Sequence, residues 1–318
     1  MSQRVVIAGA SGFLGAAIAR DYTDRGWQIV TIGRRGPVQW GDGPAVAAAV
    51  DGADTVINLA GRSVNCRYTT KNRAEILSSR IDTTRQLNEA IRASAAPPRV
   101  WLNASTATIY RDARDRSQSE STGDVGTRFS ERVASEWEGA LFDGELPHTR
   151  RVALRLSIVL GADGGALPPI VRLARLGLGG PQHHGWWFPS PARRAAGTDL
   201  APGEAGGGQM VSWIHLDDVI AAVRFLDARD DISGAVNVTA PQPVDNRTFM
   251  RQLRFHVGRP VGLSAYRFML EPAMAVLRTE PELVLKSRWV VPERLSAAGF
   301  SFAHPELDEA LASILNRA

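Results

Sequence analysis

A glycine-rich stretch near the start of the chain has the residue types and spacing that bind the phosphates of a dinucleotide. It reads Gly9-Ala-Ser-Gly-Phe-Leu-Gly15 and stands between an apolar run at 4–8 and an amphipathic pattern at 15–25. Glycines at a strand-to-helix turn let the backbone approach a pyrophosphate, which the free N–H groups of the helix start then bind. The residues predicted to hold the pyrophosphate are Gly9, Ser11, Gly12, Phe13, Leu14 and Gly15.

Two arginines follow the second apolar run, 28–32, at the position that selects between NAD and NADP. An acidic residue there binds the ribose 2′-hydroxyl of NAD, whereas an arginine suits the 2′-phosphate of NADP. The chain has Arg34 and Arg35 there and no acidic residue. We therefore predict NADP as the cofactor; the alternative is a pair of solvated arginines in an arginine-rich protein. After the third run, 55–59, small residues would let the chain pass close to a nucleotide, and Leu59, Ala60 and Gly61 are predicted to line the ribose.

The order of the elements explains how these residues come together. Continuous apolar runs of strand length alternate with helical patterns such as 71–93 and 130–142. Buried strands separated by helices predict a parallel sheet with helices on both faces and right-handed crossovers. The predicted fold class is α/β, a Rossmann doubly wound parallel sheet with a smaller C-terminal substrate-binding region. The predicted strands of the sheet are 4–8, 28–32, 55–59, 100–104 and 152–156.

The second half of the chain has a different texture. Residues 161–185 are rich in Gly and Pro around a helical stretch at 169–176, and 186–209 shows little periodicity. A stretch of that length without its own structure is predicted to be a lid or disordered. Its aromatic start, Trp186, Trp187 and Phe188, either pins the loop or closes over a substrate. Regular patterns return with strands at 211–214 and 235–238 and helices at 216–227, 246–257 and 305–315.

These changes of texture predict two regions. Residues 1–160, completed by about 210–240, form an NADP-binding Rossmann domain. Residues 161–209 and 241–318 form a substrate-binding region, with a loop insertion at 186–209 and a C-terminal helical extension.

Composition excludes several classes of function. The 318 residues include 37 basic and 33 acidic side chains, a net charge of +4, which is too small to argue for nucleic acid or an anionic membrane as a partner. The single cysteine, Cys66, excludes an intramolecular disulfide and a thiolate-rich metal site. No apolar run approaches the roughly 20 residues that span a bilayer, and no signal segment precedes the first strand. A cytoplasmic protein is expected. Only two of the basic residues, Lys71 and Lys286, are lysines.

The glycine stretch at 9–15, Asn58-Leu-Ala-Gly61 and Asn103-Ala-Ser-Thr-Ala-Thr-Ile-Tyr110 together carry a resemblance. The chain resembles the extended, sugar-nucleotide epimerase-like branch of the short-chain dehydrogenase/reductase superfamily. More specifically, it is similar to the atypical YfcH-type, or SulA-like, family. That family usually runs almost directly from Gly-Gly-Pro181 to Trp213, so 186–209 departs from it. The stretches that match are Ser79-Arg80, Arg155-Leu-Ser-Ile-Val-Leu-Gly161 with Gly164-Gly165, Gly177-Leu-Gly-Gly-Pro181, Trp213-Ile-His-Leu-Asp-Asp218, and Pro292-Glu-Arg-Leu with Ala298-Gly-Phe300.

The resemblance implies a catalytic apparatus that this chain only partly has. In the superfamily a Ser or Thr and a Tyr-x-x-x-Lys pair serve hydride transfer between a nicotinamide and a carbon–oxygen centre, the lysine lowering the pKa of the tyrosine. Thr106 takes the Ser/Thr position, but Phe129 and Val133 stand where the pair should be, and no tyrosine is followed by lysine four residues later. The standard mechanism is therefore excluded, as it commonly is in the family. Tyr110 is the candidate replacement, with its pKa lowered by Arg114 four residues on; the alternative is a packing residue.

For several other residues the sequence leaves two possible roles open. Arg80 either holds an anionic group of a substrate or forms a surface ion pair. Cys66 is either a border residue of the substrate site or inert. His183 and His184 either bind a metal or belong to a polar loop, and without a third ligand at a useful spacing no metal site is predicted. His215 is expected to be structural, with Asp217 or Asp218 capping the helix that follows.

These observations predict an NADP-binding oxidoreductase or epimerase-like enzyme that acts on a small-molecule substrate and lacks the usual pair. Thr106 would orient the reacting oxygen and Tyr110 is a candidate proton donor. Two alternatives stay open, because function is set by the pocket rather than by the scaffold. One is a non-redox lyase, isomerase or cyclase on the same scaffold, and the other is a non-catalytic NADP-binding protein. The chain is expected to be a monomer or a homodimer.

Overall fold

A seven-stranded parallel sheet forms the centre of the protein. The computed structural model describes residues 3–185, 187, 188, 190–200, 203 and 206–316. The sheet order is β11-β6-β5-β4-β1-β2-β3, and every neighbouring pair is parallel. The predicted α/β fold class is therefore confirmed. The strands are β1 (Arg4–Ala8), β2 (Gln28–Gly33), β3 (Val38–Gln39), β4 (Thr55–Asn58), β5 (Val100–Thr106), β6 (Arg150–Leu156) and β11 (Gly234–Val238).

Helices cover both faces of this sheet because successive strand residues point to opposite sides. Val5 and Ile7 face one apolar core, and Val6 and Ala8 face another. The first core is closed by α1 and α7, and the second by α2, α3 and α4. The sheet is thus doubly wound, as the continuous apolar runs predict. The helices of the two layers are α1 (Phe13–Asp24), α2 (Gly43–Val50), α3 (Thr70–Ala93), α4 (Phe129–Leu141) and α7 (Leu216–Ala228).

The second half of the chain builds a smaller region with its own core. That core packs α5, α8 and α12 around Trp213. The predicted division into two domains stays a prediction. The elements of this region are β7 (Ile158–Leu160), α5 (Leu167–Arg175), β8 (Gln182–His183), α6 (Pro191–Ala196), β9 (Met210–Val211), β10 (Trp213–His215), β12 (Val244–Asp245), α8 (Asn246–His256), β13 (Ala265–Tyr266), α9 (Arg267–Val276), α10 (Glu282–Leu285), α11 (Glu293–Ala297) and α12 (Leu307–Leu315).

Two sequence predictions in this region need correction. The 186–209 stretch is not wholly without structure, because α6 lies within it, starting at Pro191 and ending at Gly197 with φ 66°. Proline at a helix start and a left-handed glycine at its end are the ordinary limits of a short helix. The strand predicted at 211–214 is split at Ser212, because β9 pairs antiparallel with β12 whereas β10 pairs parallel with β7. Trp186 lies outside the described residues.

None of the helices in the described part of the chain is both long and apolar enough to cross a membrane.

Candidate functional site

A cleft of about 760 Å³ opens at the carboxyl ends of β1, β2 and β4, beside α3. Clefts at this edge of a parallel sheet are where ligands bind in doubly wound folds. Of the predicted cofactor residues, seven line it: Gly9, Ser11, Gly12, Arg34, Leu59, Ala60 and Gly61.

The glycine turn forms one wall of this cleft, and two of its glycines are required by close packing. Gly9 has φ +82°, and a Cβ atom there would lie 2.9 Å from the backbone of Leu59. At Gly15 a Cβ atom would lie 2.2 Å from the carbonyl oxygen of Gly9. Gly12 stands at the N-cap of α1 and has no side chain to cap it. The first N–H groups of the helix are thereby left to a ligand.

The other predicted pyrophosphate residues lie behind the turn. The Phe13 ring packs against the turn at Gly161 and Gly164, where a Cβ atom would lie 2.6 and 2.5 Å from it. Leu14 packs onto the apolar core under the sheet. Phe13, Leu14 and Gly15 are not lining residues of the cleft, so any contact with a phosphate has to come from their backbone.

The rim of the cleft at the end of β2 is basic. Arg34 lines the cleft and is exposed, whereas Arg35, also exposed, is not among its lining residues. The structure therefore places one of the two predicted arginines directly at the cleft.

Other residues that line the cleft were not predicted from the sequence. Trp40 enters from the segment after β3, and Ser79 and Thr83 from α3. The Ser79 hydroxyl accepts a hydrogen bond from the Arg62 backbone N–H at 3.0 Å, which holds the loop after β4. Ser79 belongs to the Ser79-Arg80 stretch, one of those that match the family. That match could have pointed to Ser79 as a residue of the site. Trp40 has no comparable motif around it.

Thr106 is the last residue of β5, the strand next to β4 in the sheet. Its Oγ atom accepts a hydrogen bond from the Thr108 N–H at 3.1 Å, and the residue is half-buried. Within the described residues no acceptor is recorded for its own hydroxyl proton. The hydroxyl is therefore able to donate to a ligand oxygen.

The positions of the missing Tyr and Lys form an apolar surface on α4. Phe129 and Val133 are buried in a cluster with Tyr68 and Ile76. The rings of Tyr68 and Phe129 meet edge to face, with centroids 5.0 Å apart. Phe129 and Val133 themselves supply neither a proton donor nor a cation in place of the pair.

Tyr110 lies in the core. Its hydroxyl donates to Asn237 Oδ1 at 2.9 Å and accepts from Arg155 Nη1 at 2.8 Å, and the residue is 2% exposed. Burial raises the pKa of Tyr110, and Arg114 pairs with Asp112 at 3.4 Å rather than with the phenol. The predicted lowering of the pKa by Arg114 is therefore wrong, and the contacts favour the packing alternative.

Arg80 is a half-buried cation beside the cleft. Its guanidinium lies over the Trp137 ring, 5.0 Å from the centroid, and donates to the carbonyl oxygen of Ile76 at 2.9 Å. A Cβ atom at Gly61 would lie 3.2 Å from its Cζ atom. Burial lowers the pKa of Arg80 to about 10, and no carboxylate of the described residues lies within 4.0 Å of it. The surface ion pair is thus not formed, and the anion-holding alternative stands.

One of the two lysines reaches α4 from the far end of the chain. Lys286 donates to the carbonyl oxygen of Thr108 at 2.8 Å and pairs with the buried carboxylate of Glu131. Both side chains are 2% exposed. Because Glu131 lies between positions 129 and 133 on a different side of the helix, this lysine ties the C-terminal region to α4 and does not replace the missing one.

The two neighbouring histidines hold the loop that follows them. His183 Nδ1 accepts from the Gly206 N–H at 2.8 Å. His184 Nδ1 accepts from the N–H groups of Gly185 and Gly203, both at 3.0 Å. Burial and the nearby Arg267 lower the pKa of His184 to about 4. These contacts favour the polar-loop alternative over metal binding.

His215 takes the capping role that was predicted for an aspartate. It is the N-cap of α7, and its Nδ1 atom accepts from the Asp217 N–H at 3.0 Å. Asp218 instead accepts from the backbone of Ala303 and His304. The ligand atoms of His215, Asp217 and His304 lie within 4.8 Å of one another. Both His215 nitrogens already have partners, Nε2 lying 3.2 Å from the Ser313 hydroxyl, so these contacts explain the cluster without an ion.

The chain is similar to known proteins over nearly its whole length. The NAD dependent epimerase/dehydratase family matches residues 5–172, and a domain of unknown function, DUF1731, matches residues 267–314. Epimerase family protein SDR39U1 of Mus musculus is 28% identical over 98% of this chain and 99% of its own. Epimerase family protein YfhF of Bacillus subtilis is 28% identical over 98% and 97%. The crystal structure of human epimerase family protein SDR39U1 (isoform 2) with NADPH superposes with a TM-score of 0.84 at 26% identity, over 99% of this chain and 100% of that one.

Proposed function

The chain belongs to the NAD dependent epimerase/dehydratase family, and from this premise we propose that it is an NADP-binding oxidoreductase or epimerase-like enzyme acting on a small molecule. The observation that carries the proposal is the cleft of about 760 Å³, which is walled by the glycine turn and has Arg34 on its rim. The human relative whose structure contains NADPH supports it. We also propose that the chain belongs to the YfcH-type branch of this family.

The residues of the cleft fit a dinucleotide. The backbone of Gly9, Ser11 and Gly12 would hold the pyrophosphate, because the turn is too tight for a side chain at Gly9 and the start of α1 is uncapped. Leu59, Ala60 and Gly61 would line the ribose, and Arg34 with Arg35 would hold the 2′-phosphate. When bound, NADP supplies or accepts a hydride at its nicotinamide ring.

Near the reacting end, the chain offers a hydroxyl and a cation. Thr106 would orient the reacting oxygen, since its hydroxyl proton is available to a ligand. Arg80 would stabilise negative charge on a ligand, because a partly desolvated guanidinium without a carboxylate partner gains from an anion. Phe129 and Val133 would exclude water from that side of the pocket.

The Arg34→Glu variant tests the cofactor assignment. Replacing a cation that binds a phosphate with an anion should weaken NADPH binding about 100-fold, while NADH binding changes by less than about 3-fold. Fluorescence titration of both nucleotides measures this. The matched control is Arg251→Glu, an exposed arginine on α8 away from the cleft, which should keep the parent affinities. Equal NADPH affinity in Arg34→Glu and the parent would overturn the assignment.

The apolar surface at Phe129 and Val133 favours a second candidate, a non-redox lyase, isomerase or cyclase on the same scaffold. Such an enzyme forms product without consuming NADPH, whereas an oxidoreductase consumes NADPH in proportion to product. Mass spectrometry of whatever copurifies in the pocket, followed by assays of that compound with NADPH absorbance as the readout, separates the two. Tight NADPH binding without turnover of any compound identifies a binding protein.

A further inference from the structure

A second cavity, of about 330 Å³, lies between the start of α3 and the insertion helix α6. Its walls share no residue with the 760 Å³ cleft. Three arginines line it, Arg67 and Arg73 from one side and Arg193 from α6, together with the hydroxyl-bearing Thr69 and Thr70. In the described part of the chain, Glu280 is the only acidic residue that lines it.

The charges of this cavity do not balance. Glu280 is shared, lying 3.4 Å from Arg67 Nε and 3.3 Å from Arg193 Nη2. It also accepts the N–H of Tyr68 at 2.8 Å. The second carboxylate in contact, Glu271, lies 2.8 Å from Arg193 but is itself shared with Arg267 at 3.4 Å. Arg267 and Glu271 offset each other in charge. The lining residues in the described part of the chain are then three guanidinium groups against one carboxylate, an excess of two positive charges in a half-buried space.

Arg73 is the arginine least committed to the fold. Its Nη1 atom donates to the carbonyl oxygen of Tyr68 at 2.8 Å, and no carboxylate of the described residues lies within 4.0 Å of it. A guanidinium has five N–H donors in a fixed planar fork that matches the geometry of phosphate and carboxylate oxygens. Arg73 therefore has both charge and donors left for a ligand.

The cavity adjoins the end of the site where Phe129 stands. Tyr68 is one of its walls, and the ring of the same residue packs on Phe129. A molecule of modest size with one group in this cavity therefore reaches the neighbourhood of α4.

We propose that this cavity binds a dianionic oxyanion, the phosphate monoester group of the substrate, through Arg67, Arg73 and Arg193. Two excess positive charges match a dianion, and the volume of about 330 Å³ accommodates the group together with the atoms that carry it. The assignment of the anion to a substrate rests on the proposed function, but binding of the anion itself does not. The 186–209 stretch, which the sequence predicts to be an insertion, supplies one wall of the cavity and one of the three arginines.

Calorimetric titration with inorganic phosphate, at constant ionic strength and with saturating NADPH, tests the proposal. Saturating NADPH keeps phosphate out of the proposed nucleotide cleft. Arg73→Gln should weaken phosphate binding about 10-fold and leave the melting temperature and NADPH affinity unchanged. The matched control is Arg85→Gln, an exposed arginine further along the same helix, which should bind phosphate as the parent does.

A third arm separates this proposal from the cofactor assignment. If the chain binds no NADPH, the same titration without nucleotide, on the parent, Arg73→Gln and Arg34→Glu, still decides the question. Loss of phosphate binding in Arg73→Gln alone supports the cavity. Parent-like phosphate binding in Arg73→Gln, no phosphate binding by the parent, or loss of phosphate binding in Arg34→Glu instead overturns it.

Discussion

The two halves of the molecule are held together by different kinds of contact. In the sheet, alternate apolar side chains of β1 face the helices above and below. Around the insertion and the C-terminal region, buried charged groups pair across long stretches of chain. Arg193 and Glu271 are 78 residues apart, and Lys286 and Glu131 are 155 apart. The spacing of apolar residues can be recognised within a short stretch of sequence. A buried ion pair joins residues that only the folded chain brings together.

Helix α9 makes the contrast plain, because its amphipathic pattern is inverted. Arg267 and Glu271 point inward and are 4% and 5% exposed, whereas Phe268 and Val276 are 62% and 83% exposed. The charged pair reaches the network of Arg193 and Glu280. An assignment of the buried face from the apolar residues of this helix would select the exposed face. Apolar periodicity, which predicts the buried positions of the sheet strands, therefore fails for α9.

The largest expected effect comes from breaking the buried pair that joins the two halves. Lys286→Met removes the cation and leaves Glu131 buried without a charge partner, so the unfolding free energy should fall by about 4 kcal/mol. Chemical denaturation measures this. The matched control is Lys71→Met, the other lysine of the chain, whose side chain is 84% exposed; it should change stability by less than about 0.5 kcal/mol.

A double variant sharpens that result. Glu131→Leu combined with Lys286→Met removes both charges, and should recover most of the stability lost in Lys286→Met, because apolar replacements of a buried pair are often nearly neutral. If Lys286→Met alone is as stable as the parent, the ion pair does not hold the C-terminal region to α4.

The next effect lies in the sheet half, at the glycine turn. Gly15→Ala places a Cβ atom 2.2 Å from the Gly9 carbonyl oxygen, so the turn has to open. Overpacking of this kind should lower the unfolding free energy by about 3 kcal/mol and weaken NADPH binding in the same variant. Denaturation and fluorescence titration measure the two effects.

Gly139→Ala is the control for that change, because a Cβ atom there meets nothing within 4 Å on the exposed side of α4. It should raise stability by about 0.5–1 kcal/mol through the lower entropy of the unfolded chain. Equal behaviour of the two variants would refute the tight turn.

The smallest expected effect is on pH dependence, in the insertion half. His184 has a pKa of about 4 in the folded protein against an ordinary value of 6.5. Between these values the unfolded chain binds a proton that the folded protein does not, so stability falls as the pH falls through this window. The loss should reach about 1 kcal/mol near pH 5.5.

Denaturation of the parent and of His184→Asn at several pH values measures this. Asparagine retains an acceptor for the N–H groups of Gly185 and Gly203 but does not titrate in this window. The stability difference between the two proteins should therefore shrink as the pH falls. A difference that is constant from pH 7.5 to 4.5 would show that His184 is not held neutral.

What could be predicted from the sequence follows the same division. The glycine turn, the parallel strands and Thr106 at a strand end depend on local spacing, and the parallel sheet is predicted correctly apart from its edge strand β3. Helix α6 and the ends of β9 and β10 are not predicted, because short elements leave little periodicity and the chain changes its pairing partner at Ser212. Arg73 and Arg193 gave no signal at all, since the cavity that they share forms only when distant segments meet.

The attachment of the insertion has a consequence for how this scaffold varies. Within its described residues, the loop is fastened by N–H groups at Gly203 and Gly206 to histidines that stand before it, and by Arg193 to carboxylates that stand after it. A Cβ atom at Gly203 would lie 2.9 Å from the His184 ring, and Gly206 has φ +121°. A change at Gly203, Gly206 or Arg193 would therefore disturb the wall that α6 gives the cavity. The cleft at the end of the sheet shares no lining residue with that cavity and would keep its own walls.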